Sequence, residues 1–239
     1  MTEPVTTPVS TSAFEPDTSN SAVRKWRKQI LGVSDFNDPE ITIPTKAGDL
    51  FYLDEATAPA GRLYTPKPLA PGIHDMGYIT PDGVTHNREV ASDDTSMLQS
   101  LESVRSDVTS IDKTVAAVLG EANAWARAMA HGLPVSMWPA DKHGANFFAD
   151  GRIVDNPFYV FWQLAQDGVG PSAIYRIELL LKVKVSAQEG RKMNAADPET
   201  YGYTWKSFKD DVLGFSHLSL DEGPGKSSHL APDALPFTV

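Results

Sequence analysis

The sequence predicts a mainly β protein: an antiparallel β-barrel or sandwich with one flanking α-helix, a long loop and extended terminal arms. Three observations carry this. Tyr175, Ile177, Leu179, Leu181, Val183 and Val185 alternate with Arg176, Glu178, Lys182 and Lys184, the period of a half-buried antiparallel strand, which Leu180 alone interrupts. Residues 158–164 are apolar almost without a break, as in a strand covered on both faces. Many short β-type segments surround a single clear helical stripe.

Acidic residues outnumber basic ones, 31 to 21, for a formal net charge of -10. A surface of that sign repels free nucleic acid and anionic membranes. It disfavours a protein that grips DNA, while an acidic wall along which DNA slides stays compatible. There is no cysteine, which removes disulfides, thiolate metal ligands and cysteine nucleophiles together. No basic start leads into an apolar run, so no secretory signal is expected. The apolar stretches fall short of the ~20 residues of a membrane helix.

The chain divides into an N-terminal arm (1–37), a β domain (38–222) and a C-terminal extended arm (223–239). Residues 1–22 are dominated by Thr, Ser and Pro, too poor in large apolar groups to order alone, so docking on a neighbouring subunit is the expected source of any order. In residues 22–31, Val23, Trp26 and Ile30 fall at i, i+3 and i+7, with Arg24, Lys25, Arg27 and Lys28 opposite. That spacing predicts a short basic amphipathic helix, packed on its own domain or docking on an acidic copy.

Short strands are expected at 41–43, 50–53 and 62–64, separated by Pro and Gly punctuation. Residues 76–85 read as a compact hairpin turning at Pro81-Asp82-Gly83. Residues 87–107 are polar, with Asp93-Asp94 and few large apolar groups. They are expected as a long loop, and loops of that length are functional or disordered. Asp93, Asp94, Met97, Leu98 and Leu101 are therefore candidate subunit contacts, together with Val23, Trp26 and Ile30. A strand over 108–119 follows, then a helix whose Ala122, Trp125 and Met129 make one apolar face, stopped by Gly132 and Pro134. Later strands are expected at 201–205 and within 213–220.

Searching for chemistry yields absences. No nucleophile elbow, phosphate-cradling glycine loop, zinc-protease or calcium-loop spacing occurs. The six histidines show no pair at i+2, i+3 or i+4. Asp93-Asp94 and Asp210-Asp211 are neighbours whose side chains on a strand point apart. No catalytic, metal or cofactor residue is therefore expected.

The pieces Asp75-Met76-Gly77-Tyr78-Ile79-Thr80-Pro81-Asp82-Gly83-Val84-Thr85, Val108-Thr109-Ser110 with Asp112-Lys113, and Gly120-Glu121-Ala122-Asn123 resemble the major tail tube proteins of long-tailed bacteriophages, notably those of actinobacteria. The likeness extends in patches over about residues 50–220, including 175–185 and 204–211; residues 1–37 depart from it. The resemblance implies a β-barrel or sandwich with a flanking helix, closing side by side into rings, commonly hexameric, that stack into a tube. It implies a structural virion protein of the phage tail, assembled in the host cytoplasm. Its partners would be copies of itself and other tail proteins such as the tape measure and tail terminator. Genomic DNA would pass through the lumen without specific binding. Two other readings stand beside it. One is a β-sandwich adhesion or carbohydrate-binding module using Trp138, Trp162 and Trp205. The other is a β-fold hydrolase with dispersed carboxylates.

Overall fold

Strands are the main regular structure of the described residues, and their pairing decides where the helix and the loops sit. The computed structural model describes residues 24–37, 43–97, 100–148, 156–191 and 193–235, side chains of 96–103 excepted. In chain order the elements are β1 (Lys28–Asp35), α1 (Ala47–Leu50), β2 (His74–Asp75), β3 (Ile79–Met97), β4 (Ser100–Leu119), α2 (Ala124–Ala130), β5 (Tyr159–Asp167), β6 (Ile174–Gln188), β7 (Tyr201–Ser207) and β8 (His217–Glu222). The strand order is β2-β1-β5-β6-β7-β4-β3, and β8 pairs with β6 off this path. Every pairing is antiparallel. This is the mainly β, antiparallel, barrel- or sandwich-like fold expected from the sequence.

β6 is the fork. Its first half pairs with β8, from Tyr175 opposite Glu222 to Leu180 opposite His217. Its second half pairs with β7, from Val183 opposite Ser207 onward, and β5 lies along the other edge. The fork gives the sheet a core on each face. One cluster gathers Leu119, Tyr159, Phe161, Leu180, Val183, Tyr203 and Trp205 with α2. The other gathers Val160, Trp162, Ile177, Leu179, Leu181, Leu218 and Leu220 with Phe51. β5 therefore sends alternate side chains into both clusters, which is why residues 158–164 are apolar on both faces.

β6 differs from its expected polar face. Between the Phe161–Leu180 and Tyr159–Val183 pairs β6 advances three residues while β5 advances two. This bulge puts Leu180 and Val183 in the same cluster, so Leu180 is a core residue rather than an interruption. Glu178 is buried as well, and it is satisfied by His217 Nε2 at 2.6 Å and by Ser219 Oγ, which donates at 2.8 Å.

Of the region expected as a basic helix, residues 22–23 lie outside the described residues, 24–27 carry no helix, and Lys28–Asp35 is β1. Lys28 to Asp35 pair residue for residue with Gln166 to Tyr159. A helix of ten residues is marginal in water, and a ladder of that length outweighs it. Residues 50–53 and 62–64 are likewise not strands. α1 ends at Leu50, Phe51 makes one isolated bridge to Pro66, and residues 62–64 lie in turns. Ile41 and Thr42 lie outside the described residues, and Ile43 packs on the second cluster without strand pairing.

α2 forms where expected but buries a different face. Its N-cap, Asn123, accepts from the Ala126 N–H at 2.8 Å and donates Nδ2 to the Met76 carbonyl at 2.9 Å. Ala124, Ala126, Ala128 and Met129 are buried, whereas Ala122 precedes the cap and is exposed. The alanines let the helix backbone approach the sheet closely enough for the Tyr203 hydroxyl to donate to the Ala126 carbonyl at 2.6 Å. Trp125 rides on the rim, its Nε1 donating to the Pro139 carbonyl at 2.7 Å. Gly132, at φ 66°, ends the helix, and the Leu133 N–H donates to the Ala128 carbonyl at 3.1 Å.

Residues 223–235 carry no strand or helix and lie back against the second cluster through Leu230 and Leu235. The buried Glu222 carboxylate holds them, meeting His229 Nδ1 at 2.6 Å and accepting from the Leu230 N–H at 2.8 Å.

Candidate assembly surface

The segment expected as a long loop is a long β-ribbon. β3 and β4 pair from Ile79 opposite Leu119 out to Met97 opposite Ser100. Pro81-Asp82-Gly83 does not reverse the chain. Between the Ile79–Leu119 and Val84–Ala117 pairs β3 advances five residues while β4 advances two, so the expected turn is an irregularity inside one strand. Gly83, at φ 75°, supplies the left-handed backbone this requires. The reason is long-range: β4 keeps pairing with β3 on both sides of the insertion, and β7 holds β4 in place.

β7 covers β4 only over residues 113–119. From Glu89 and Asp112 outward, the two strands pair with each other alone among the described residues. At ~3.4 Å per residue this outer ribbon projects about 30 Å. A free two-stranded ribbon is marginal in water. Both of its edges present unpaired backbone donors and acceptors, the groups through which strands add to one another. Register shifts at Ala91/Ser92, Thr95/Ser96 and Ser96/Met97 add twist along it.

The faces of the ribbon differ. Val90 stands opposite Ile111 and Ser92 opposite Val108, so Val90, Ile111 and Val108 share one face. They are 45%, 49% and 62% exposed. The other face places Glu89 opposite Asp112 and Asp93 opposite Asp107, two like-charged pairs of the kind that destabilise a ladder. Asp112 is relieved by Lys206 at 2.9 Å, and Asp107 by Arg105 at 2.6 Å.

The root is fixed by polar contacts. His86 Nε2 meets Gln163 Oε1 at 2.6 Å, Gln163 donates to Gln29 at 3.1 Å, and Lys113 donates to the Ser216 hydroxyl at 3.0 Å. The His86 ring stacks against His217 at 5.8 Å between centroids. The ribbon thus leaves the body at a defined angle set by β1, β5 and the residues before β8.

A second feature is an open groove of about 810 Å³ beside β1, walled by Trp26, Arg27, Ile30, Tyr78, Thr80 and Lys142 among others. Arg176 lies over the Trp26 ring at 4.8 Å. Trp26 and Ile30 therefore meet in this groove, away from the ribbon. Asp93 and Asp94 sit on opposite ribbon faces, Asp94 opposite Ser106. Met97 and Leu101 belong to the outer ribbon strands, their side chains outside the described set; Val23 and Leu98 lie outside the described residues. Val90, Val108 and Ile111, the exposed apolar groups that share one ribbon face, were not among the expected contacts; their common face shows only once the register is known.

Trp138, Trp162 and Trp205 are all buried, so they build core rather than a sugar platform. Ser219 and His217 both address Glu178; a nucleophilic relay would require the hydroxyl on the imidazole. Among the described residues no three His, Asp or Glu side chains converge as ligands for a metal ion. Among the described helices none is long and apolar enough to cross a membrane. No family model matches the chain, and no curated protein matches it.

Proposed function

We propose that this chain is a structural subunit of a phage tail tube, assembling into stacked rings that form a conduit for DNA. The observation that carries the reading is the outer β3–β4 ribbon. It has two unpaired edges, an apolar face and an acidic face, and among the described residues only Lys206, at its root, reaches across from another strand. Edge-to-edge addition between copies satisfies the free backbone groups, and burying Val90, Val108 and Ile111 against a neighbour offsets the ordering cost. The acidic face, with Glu89, Asp93, Asp107 and Asp112, would line a passage that DNA traverses without adhering. The net charge of -10 supports the same assignment.

Electron microscopy of the purified protein at high concentration tests this. Rings or tubes are expected, and antibodies to the chain should decorate phage tails. A protein that stays monomeric at high concentration and labels no tail would overturn the proposal.

A further inference from the structure

The groove beside β1 is a seam between two strand edges. On one side, residues 28–30 pair with β5 alone, because β2 meets β1 only at Gly32 and Val33. On the other side, residues 80–83 of β3 have no partner in β4, which resumes pairing at Val84. Members of both stretches line the groove. Two edges without a strand partner along one cleft are the geometry that accepts an added strand. We infer that this groove receives the outer β3–β4 ribbon of a second copy of the chain, entering edge-on. This rests on self-assembly through the ribbon, as proposed above, and adds where on the neighbour the ribbon lands.

A ribbon cannot fill the groove of its own chain. β3 runs from Ile79 to Met97 as one strand; the groove lies beside its first residues and the ribbon begins at Glu89. At ~3.4 Å per residue, Asp93 stands about 30 Å along the strand from Gly83. The root is held by His86 on Gln163 at 2.6 Å and Lys113 on Ser216 at 3.0 Å, so the ribbon does not fold back. Donor and receiver are thus different patches of one chain, and their contact is heterologous. Each copy gives once and receives once, so the contact runs head to tail, closing a ring or extending a fibre.

Charge fits the two patches together. Residues 89–112 carry six Asp or Glu and one Arg. Arg27, Lys28, Lys142 and His143 line the groove against Asp75 and Glu121. Those two carboxylates are engaged within the chain: Asp75 accepts from the Gly77 N–H at 2.9 Å, and Glu121 pairs with Lys142 at 3.4 Å. Among the described residues no ion pair engages Arg27 or Lys28, and none engages Glu89 or Asp93. Opposite charge left over on each patch steers the two into one register.

The apolar parts match as well. In the groove Tyr78 is 81% exposed and Ile30 41%, and Val90, Val108 and Ile111 stand open on one ribbon face. Bringing the patches together removes apolar surface from water on both copies. Entering edge-on, the ribbon offers its free backbone groups to residues 28–30. Its apolar face covers Tyr78 and Ile30, and Glu89 and Asp93 meet Arg27 and Lys28.

The experiment uses the full-length chain, which has no native cysteine. Val108→Cys chains are mixed with Tyr78→Cys or Ile30→Cys chains and treated with a short bismaleimide. A linked dimer of the two variants is expected, whereas Met193→Cys and Val212→Cys, exposed elsewhere, should link only at background. Arg27→Glu with Lys28→Glu should cut the linked yield on the order of fivefold, in keeping with the loss of two exposed ion pairs. Adding Glu89→Lys and Asp93→Lys should restore it. Assembly seen by sedimentation, with Val108→Cys linking to itself or to Met193→Cys or Val212→Cys instead, would overturn this inference and leave the tube reading standing. Failure of the charge swap to rescue, with the circular dichroism spectrum unchanged, would equally overturn it. An unmodified chain that stays monomeric at high concentration would remove both.

Discussion

Asp93 stands directly opposite Asp107 where β3 and β4 pair alone. With Glu89 opposite Asp112 on the same face, the ribbon carries a repulsion that Lys206 and Arg105 relieve in part. Asp93→Asn should therefore stabilise the isolated subunit, by a few tenths to about 1 kcal/mol. The gain should shrink as salt rises, because exposed charges are screened. Thermal unfolding at low and high ionic strength measures both. A destabilised variant would mean that the pair is compensated by contacts other than these.

The apolar ribbon face makes the opposite prediction. Val90→Asp or Ile111→Asp should leave the stability of the monomer within about 0.5 kcal/mol, because both positions are solvent-exposed. The same change should abolish assembly, since a charge buried at a subunit joint goes unpaired. Sedimentation velocity reports the size and chemical denaturation the stability. Assembly that survives both substitutions would place the joint elsewhere.

Gly168 turns the chain from β5 into β6 at φ 74°, and a Cβ there would meet the Ser172 carbonyl oxygen at 2.6 Å. The obstacle is backbone, which cannot swing away. Gly168→Ala should cost about 1–3 kcal/mol, combining the left-handed conformation with the collision. Chemical denaturation reads the loss, whereas Gly190→Ala, with nothing within 4 Å, should be nearly silent.

Tyr203 is buried, and burial pushes its hydroxyl well above the ordinary value of 10.0; Tyr159 is raised for the same leading reason, with Asp35 adding to it. Raised folded-state values mean that this contribution to stability is complete below pH 10 and is lost as pH climbs past it, when the unfolded chain releases protons that the folded one retains. Alkaline titration followed at 295 nm should show these tyrosines ionising together with loss of the fold. Tyr203→Phe, which removes the hydrogen bond to the Ala126 carbonyl, should cost about 1–2 kcal/mol.

Legibility in the sequence followed burial. The strand at 174–188 and the doubly covered strand at 159–167 were readable because one or both faces enter a core, and burial imposes an apolar pattern. α2 was readable from its caps, though its buried face was not. Trp125 is the largest apolar group on it, yet the alanines face the sheet, because close approach of the helix leaves no room for an indole. The ribbon was hidden for the converse reason: neither face of its outer half enters the core. Its strands are written in Ser, Thr and Asp, and nothing in their composition separates them from a loop. β1 was hidden because Trp26 and Ile30, four residues apart, share a face of a helix and also a face of a strand.

By itself, the sequence determined the β class, the acidic balance, the two central strands and the place of the helix. These follow from local composition and from periodicities that any buried strand or helix must show. Only the tertiary structure decided that Pro81-Asp82-Gly83 is an irregularity and not a turn, that residues 87–107 form a projecting ribbon, and that Lys28–Asp35 is strand. Each of those outcomes depends on a partner strand many residues away. The hydrogen bonds that β5 offers to β1, and β4 to β3, outweigh the weak local preferences of the segments they capture.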